Sequence, residues 1–347
     1  MDSVWFLNKI MRKEKDAHGQ TLRVFGDPLP ETGERLEDSH RPDWQQAKNP
    51  HIEQVLNRAR KLPSGGWYVL GATDDLNNQP KFFYIDGHEL SVWKNNHSTS
   101  AVINRCPHMG APLSEGTIRG GVLTCPWHGI EIAKGKHGKF LDTYDDGVLT
   151  WVRFSASKDI HEPILPTRPP YSINGIIQFV AHCDPEDIIA NRLDPWHGAH
   201  FHPHSFARLK VIGNRDDVLT VRVVFRAFRS IGVEVDCTFH CPEPNTIVMT
   251  IVEGEGKGSV VETHATPVCP GRTMVTEATL AYSNRPGFHR VLQYIRRLRP
   301  LIETRAKRLW AEDRAYAERR YYLRNPELQN ELTAKDIAEP VGRPHPM

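Results

Sequence analysis

Residues 106–129 read CPHMGAPLSEGTIRGGVLTCPWHG, and they fix what the surrounding chain has to build. Cys106, His108, Cys125 and His128 fall in the spacing C-x-H-x16-C-x2-H. Two thiolates suit one ferric iron, and two neutral imidazoles suit a second iron that changes oxidation state. Replacing thiolate by imidazole removes negative charge and raises the potential to roughly −150 to +300 mV, against about −400 mV for all-cysteine clusters. Structural zinc is the competing reading. Zinc fingers pair two cysteines in one arm and two histidines in the other. Here each arm supplies one of each, so the four residues point to a [2Fe–2S] cluster. The flanking Pro107, Gly110, Pro126 and Gly129 suit tight loops wrapped round it.

Outward from these arms the texture is β. Trp67 to Leu70, Lys81 to Ile85, Leu90 to Trp93, Ala101 to Asn104, Gly121 to Thr124 and Val148 to Val152 are short runs rich in aromatic and β-branched residues. Asp74-Asp75, Asn77-Asn78 and Asp86-Gly87 punctuate them as turns. A small all-β domain over 66–158 is expected. Before it, 1–65 reads as an irregular lead-in whose one clear signal is a helical spacing between Trp44 and Leu62, stopped by Pro63-Ser64-Gly65-Gly66. Met1 to Lys15 lacks the apolar core and cleavage site of a signal peptide, and a frayed terminus is expected there.

A second stretch, Asp194-Pro195-Trp196-His197-Gly198-Ala199-His200-Phe201-His202-Pro203-His204, packs a carboxylate and four imidazoles into eleven residues. Asp194 and His197 share a face on a helical turn. Gly198 is expected to loosen that turn, and Pro203 to push His202 into an extended conformation that swings it back towards His197. Two imidazoles with a distant carboxylate make the facial set of a non-haem Fe(II) site. Strands follow over 218–228, 232–240, 245–252, 259–266 and 273–282, then a helical segment over 287–323 with Pro300 as a kink or break. Within it Ile302, Ala306, Leu309, Trp310, Asp313 and Ala317 form one stripe, and Asp313 is its only charged member. A carboxylate aimed at an apolar core needs a metal or a partner. Asp313 is thus the candidate third ligand, with a buried Asp–Arg bridge as the alternative.

Together the two cluster arms and Asp194-x2-His197-x4-His202 resemble the catalytic subunit of the Rieske non-haem iron oxygenases, of the aromatic-ring-hydroxylating type, over roughly 67–325. That resemblance implies an α+β chain: an N-terminal all-β Rieske domain, then over 159–330 a helix-grip (START-like) antiparallel sheet with a long C-terminal helix, and a tail over 331–347. It implies that Cys106, His108, Cys125 and His128 hold the cluster and that His197, His202 and Asp313 hold Fe(II). Glu312-Asp313 looks like the family's Glu-Asp pair. Asp194 matches the carboxylate that bridges an iron histidine to a cluster histidine, His128, across two subunits of a head-to-tail homotrimer; Asn191, a turn earlier, is expected to support it. The implied activity is hydroxylation or oxidative demethylation of a hydrophobic small molecule, using O2 and electrons from a ferredoxin or flavin reductase. The alternatives are a cis-dihydroxylating dioxygenase of the same family, or a Rieske electron carrier fused to a binding domain.

The remaining signals are weaker. His200 and His204 are expected to be supporting or solvated groups. Cys183 reads as a packed thiol, and Cys237-x2-His240-Cys241 lacks a fourth ligand. Arginines crowd the last helix, and an ordinary solvated face with partners such as Glu303 and Glu318 is favoured over a docking surface. The 347 residues carry a net charge of +2, 39% apolar and 25% charged residues. Such a balance gives nucleic-acid binding no support, and no apolar run approaches a transmembrane span. The six cysteines, two of them at metal-ligand spacing, favour a reducing, cytoplasmic setting.

Overall fold

A computed structural model describes residues 11–331 apart from 27, 31–40, 96–97, 155–159, 216, 229, 284 and 286. Most of the C-terminal tail and the start of the N-terminal segment read above therefore lie outside the described residues. The chain is α+β. Its cluster arms sit on two small sheets. One has six strands in the order Trp67–Ala72, Leu149–Arg153, Phe140–Asp145, Thr99–Ile103, His88–Lys94 and Lys81–Ile85. The other has three, Thr117–Arg119, Val122–Thr124 and Glu131–Ile132. Between the sheets Trp93, Val102, Leu113, Leu123 and Ile132 pack around the two cysteines.

A nine-stranded sheet dominates the rest. Its main path runs Met11–Lys15, Thr21–Phe25, Ile231–Glu243, Thr246–Gly254, Val260–Cys269, Arg272–Ala281 and Ile173–Ala181; Phe206–Arg215 and Val218–Phe228 branch from Ile231–Glu243. The long helix Arg299–Arg324 lies across Ile173–Ala181 and against the helix Pro185–Arg192. Its approach to the sheet requires Gly175, where a Cβ would meet Ile302 Cγ2 at 2.6 Å. Pro300 occupies the first turn of this helix. There its fixed φ and missing N–H cost nothing, so it starts the helix and does not kink it. The shorter helix Phe288–Ile295 precedes it.

The N-terminal segment is not the irregular lead-in its sequence suggests. Residues 11–25 form a hairpin whose second strand pairs in parallel with Ile231–Val233, and Leu22 and Val24 are fully buried beside Ala207 and Val224. The run MRKEK gives no apolar alternation because its charges are satisfied by distant partners: Arg12 by Glu234, and Glu14 by Arg208. The expected helix is Asn49–Ala59, with Pro50 in its first turn and Ile52, Val55, Leu56 and Ala59 buried.

The two parts of the molecule are fastened together. Gln178 donates to the Leu70 carbonyl at 2.9 Å, and Thr266 to that of Val69 at 3.1 Å. Arg168, in the Pro-rich crossing, reaches Asp146 at 2.8 Å and Glu262 at 2.5 Å. Among the described residues no helix is long and apolar enough to cross a membrane.

Candidate metal centres

Both cluster arms fold into the same turn. The Gly110 N–H donates to the Cys106 carbonyl at 2.9 Å, and the Gly129 N–H to the Cys125 carbonyl at 3.1 Å. Both glycines have positive φ, +78° and +72°, which a side chain would strain. The thiols are buried, whereas His108 and His128 are exposed, with ring centroids 4.8 Å apart and planes at 80°. Burial pushes the Cys125 thiol up, but the N–H groups of Trp127 and His128 and the neighbouring Cys106 outweigh it and lower its pKa. Such N–H donors favour thiolate. Among the described residues, the one set of three or more metal-ligating side chains gathered round a single point is His197, His202 and Asp313. Cys106, His108, Cys125 and His128 are not in that set.

The second centre grows from the helix Pro185–Arg192, which Asp184 and Asp187 close with a capping box. A tight turn, Pro195–His197, and one helical turn, Gly198–Phe201, follow. Gly198 is itself helical, at φ −55° and ψ −48°. Its role is close packing: a Cβ there would come 3.2 Å from Leu209 Cδ1, so the expectation of a loosened turn is replaced by one of contact. His202 leaves the helix at φ −120° and ψ 53°, and the chain enters the strand Phe206–Arg215.

Asp313 reaches this loop from the long helix. Its Oδ1 lies 3.2 Å from His197 Nε2 and 2.8 Å from His202 Nε2, and the three ligand atoms all fall within 4.8 Å of one another. Asp313 and His202 are each 1% exposed. Burial raises the Asp313 carboxyl, but His197, His202 and Arg192 hold it well below the usual carboxylate range. Burial also disfavours the His197 imidazolium, yet Asp194 and Asp313 push its pKa up to about 9. Two imidazoles converging on one buried carboxylate are the donor set that iron needs, and they leave one side open for other ligands. Among the described residues no arginine pairs with Asp313. Arg192 instead pairs with Glu277.

Several contacts were not legible in the sequence. Glu312 places Oε2 2.5 Å from Nδ1 of His202. Accepting an N–H from Nδ1, this carboxylate would free Nε2 to bind a metal held beside Asp313. Tyr316, one turn beyond, stacks on the His197 ring at 5.3 Å and donates to Asp194 Oδ2 at 3.1 Å. Burial and Asp194 raise the phenol pKa, which keeps that donor protonated. Asp194 Oδ2 is 3.7 Å from His197 Nδ1, and its Oδ1 is buried without a partner. Asn191 does not support Asp194 with its side chain; it donates to Asp313 at 3.0 Å. Glu312 was legible as half of the Glu312-Asp313 pair, though not its contact with His202; the i,i+3 offset of Tyr316 from Asp313 is the signal that could have found that residue.

The N-terminal segment braces the same loop. The Ala199 carbonyl lies 3.2 Å from His18 Nε2, Trp196 Nε1 donates to Gln46 at 3.2 Å, and exposed His200 pairs with Asp43 at 3.0 Å. Arg226 holds Asp16 with one nitrogen and donates to the Pro203 carbonyl at 2.6 Å with another. His204 faces Glu312 at 3.8 Å. Cys183, Cys237 and Cys241 are packed thiols whose pKa values burial pushes up, that of Cys241 to about 12. On the last helix Arg299 pairs with Glu303 and Arg314 with Glu318, as a solvated face would.

A cavity of about 610 Å³ opens beside the centre, lined by Phe206, Phe225, Phe239, Ile247, Met249 and Leu309 among others. Phe206, Phe225 and Phe239 also wall a small space of about 50 Å³ that reaches His197, His202 and Asp313. The chamber therefore adjoins the proposed metal position across these three rings.

A cluster-arm domain ahead of a large antiparallel sheet, with two histidines and an aspartate beside an apolar chamber, is the arrangement expected of the Rieske non-haem iron oxygenases. Residues 66–145 match the Rieske [2Fe-2S] domain. Over residues 155–328, half of its length, the chain belongs to the family described as "Domain of unknown function (DUF5914)". The vanillate O-demethylase oxygenase subunit of Pseudomonas sp. (strain HR199 / DSM 7063) is 26% identical over 173 residues, 43% of this chain and 48% of that protein. The oxygenase component of chloroacetanilide N-alkylformylase from Rhizorhabdus wittichii (strain DC-6 / KACC 16600) is 28% identical over 109 residues, 31% of this chain and 28% of that protein. The chain thus spans about half, or less, of these relatives. The crystal structure of dicamba monooxygenase bound to dicamba shares the fold, with a TM-score of 0.57 at 16% identity, covering 79% of this chain and 93% of that one.

Proposed function

We propose that this chain is the oxygenase component of a Rieske system that hydroxylates, or oxidatively demethylates, a hydrophobic small molecule. The observation that carries this reading is the set of His197, His202 and Asp313 around a small space that shares its phenylalanine wall with a largely apolar cavity of about 610 Å³. In it, Cys106, His108, Cys125 and His128 hold the [2Fe–2S] cluster, and His197, His202 and Asp313 hold Fe(II). When bound, the metal centres supply electrons one at a time and activate O2, which an external ferredoxin or flavin reductase makes possible. The protein's own part is positioning and exclusion. Glu312 and Asn191 fix the ligand geometry, while Phe206, Phe225 and Phe239 hold the substrate and keep water from its reacting carbon.

Asp194 is read as the carboxylate that couples an iron histidine to His128 of a neighbouring copy in a homotrimer. Its partnerless Oδ1 and the exposed tip formed by His108, Met109, Trp127 and His128 support this. A cytoplasmic setting agrees with reduced cysteines at the cluster. Metal analysis tests the core of the proposal: three irons per chain are expected, and an Fe–NO EPR signal after reduction. A fully loaded preparation that stops at two irons identifies an electron carrier and ends the oxygenase reading. Label from ¹⁸O2 in the product, with a matched reductase, then separates one inserted oxygen from the two of a cis-diol.

A further inference from the structure

The chamber that adjoins the proposed iron position is not uniformly apolar. Arg192, Arg226, Arg305 and Arg308 all line it, against the single carboxylate of Glu277. Two of the four are already committed. Arg192 pairs with Glu277 and lies over the Trp310 ring at 4.6 Å, and Arg226 pairs with Asp16. Arg305 and Arg308 are different. They stand three residues apart on the long helix, so both project to the same side. Both are exposed while lining the cavity, which puts them at its rim. Arg305 donates to the Ala227 carbonyl at 2.6 Å, and neither arginine pairs with a carboxylate among the described residues. The acidic residues nearest on that helix are engaged elsewhere, Glu303 with Arg299 and Glu312 with His202.

The cavity therefore has a direction. Its phenylalanine side is shared with the small space at His197, His202 and Asp313; its outer rim carries two guanidiniums with no carboxylate partner among the described residues. A wholly apolar ligand would gain nothing from that rim. A ligand with an anion at its far end would gain charge-assisted hydrogen bonds there, while its apolar body covered the aromatic floor. A carboxylate matches the planar fork of a guanidinium, which it can engage through two parallel hydrogen bonds. We propose that the substrate is an apolar carboxylate, oriented with its carboxylate on Arg305 and Arg308 and the carbon to be oxidised at the phenylalanine side. This rests on reading the chamber as the substrate site of the oxygenase proposed above. The size suits it, because about 610 Å³ lies within the range of roughly 300–1,000 Å³ for pockets that enclose such molecules.

The test is equilibrium binding to the full chain by titration calorimetry, with two pairs of probes: lithocholate and dodecanoate, each against the neutral alcohol in which CH2OH replaces the carboxylate. At least one carboxylate is expected to bind about tenfold or more tightly than its alcohol, the range of a charge-assisted bond. In Arg305→Gln/Arg308→Gln that preference should vanish through weaker carboxylate binding, with alcohol binding unchanged. Equal affinity within both pairs, no binding of either carboxylate, or a preference that survives the double substitution overturns the proposal. Iron content measured on the same samples keeps the two readings apart. Carboxylate preference without a third iron overturns the oxygenase and not the rim; three irons without the preference do the reverse.

Discussion

Glu312 holds His202 from behind: its Oε2 lies 2.5 Å from Nδ1, while Asp313, the next residue, meets Nε2 of the same ring at 2.8 Å. Adjacent residues on a helix point about 100° apart, so this pair can reach both nitrogens of one ring. The carboxylate on Nδ1 selects the tautomer whose Nε2 can bind metal. Glu312→Ala should therefore weaken iron binding at this centre by about 10–100-fold, with the cluster absorbance unchanged. Iron titration followed by Fe–NO EPR measures it. Unaltered affinity would leave Glu312 a bystander.

Asp313→Ala should abolish iron binding at the His197–His202 centre and leave the cluster spectrum intact. The two histidines alone lack the third donor, and iron analysis should fall from three atoms per chain to two. Retention of three would move the ligand to Glu312.

Asp194→Ala is expected to leave both centres loaded and to slow electron transfer between them. Tyr316→Phe removes only the donor to Asp194 Oδ2, so a smaller loss is expected. Single-turnover kinetics of the reduced protein resolve the two. Rates equal to wild type for Asp194→Ala would remove the coupling role.

Arg226→Met removes the link between the N-terminal hairpin and the metal loop, and leaves Asp16 with only the backbone N–H groups of His18 and Gln20 on one oxygen. A cost of about 1–3 kcal/mol is expected from losing this charge-assisted contact. Denaturant unfolding should show it, together with reduced iron occupancy at His197 and His202 and normal cluster content. Were the iron equally retained, the hairpin would not brace the loop.

Glu243 gives a pH prediction. Burial raises its pKa, which hydrogen bonds from Thr246 and the Asn245 backbone only partly oppose, and its Oε2 is buried without a partner. A raised folded-state pKa means that the protonated form is favoured in the fold. Its contribution is most favourable below the ordinary glutamate value near 4.5 and is lost as pH rises through the raised value. Glu243→Gln should accordingly stabilise the protein at neutral pH by about 1 kcal/mol, with the gain fading towards pH 4. Melting temperatures across that range decide it; a gain independent of pH would contradict the burial argument.

The sequence alone determined those features whose chemistry is local. The cluster arms are readable because ligand spacing and turn residues lie within two short loops, and Asp313 is readable because a single charge interrupts an apolar helical stripe. His197 and His202 follow from one eleven-residue run. Their convergence with Asp313 was decided only by tertiary structure, since it depends on the helix Arg299–Arg324 crossing the sheet at Gly175. The hairpin over 11–25 was hidden for the same reason. Two of the charges in its run MRKEK, Arg12 and Glu14, are met by Glu234 and Arg208, some two hundred residues away. Likewise no composition or spacing marks Arg305 and Arg308 as without a carboxylate partner among the described residues. Which charges find partners is a property of the folded surface, and there the pairing energy depends on distances that only packing sets.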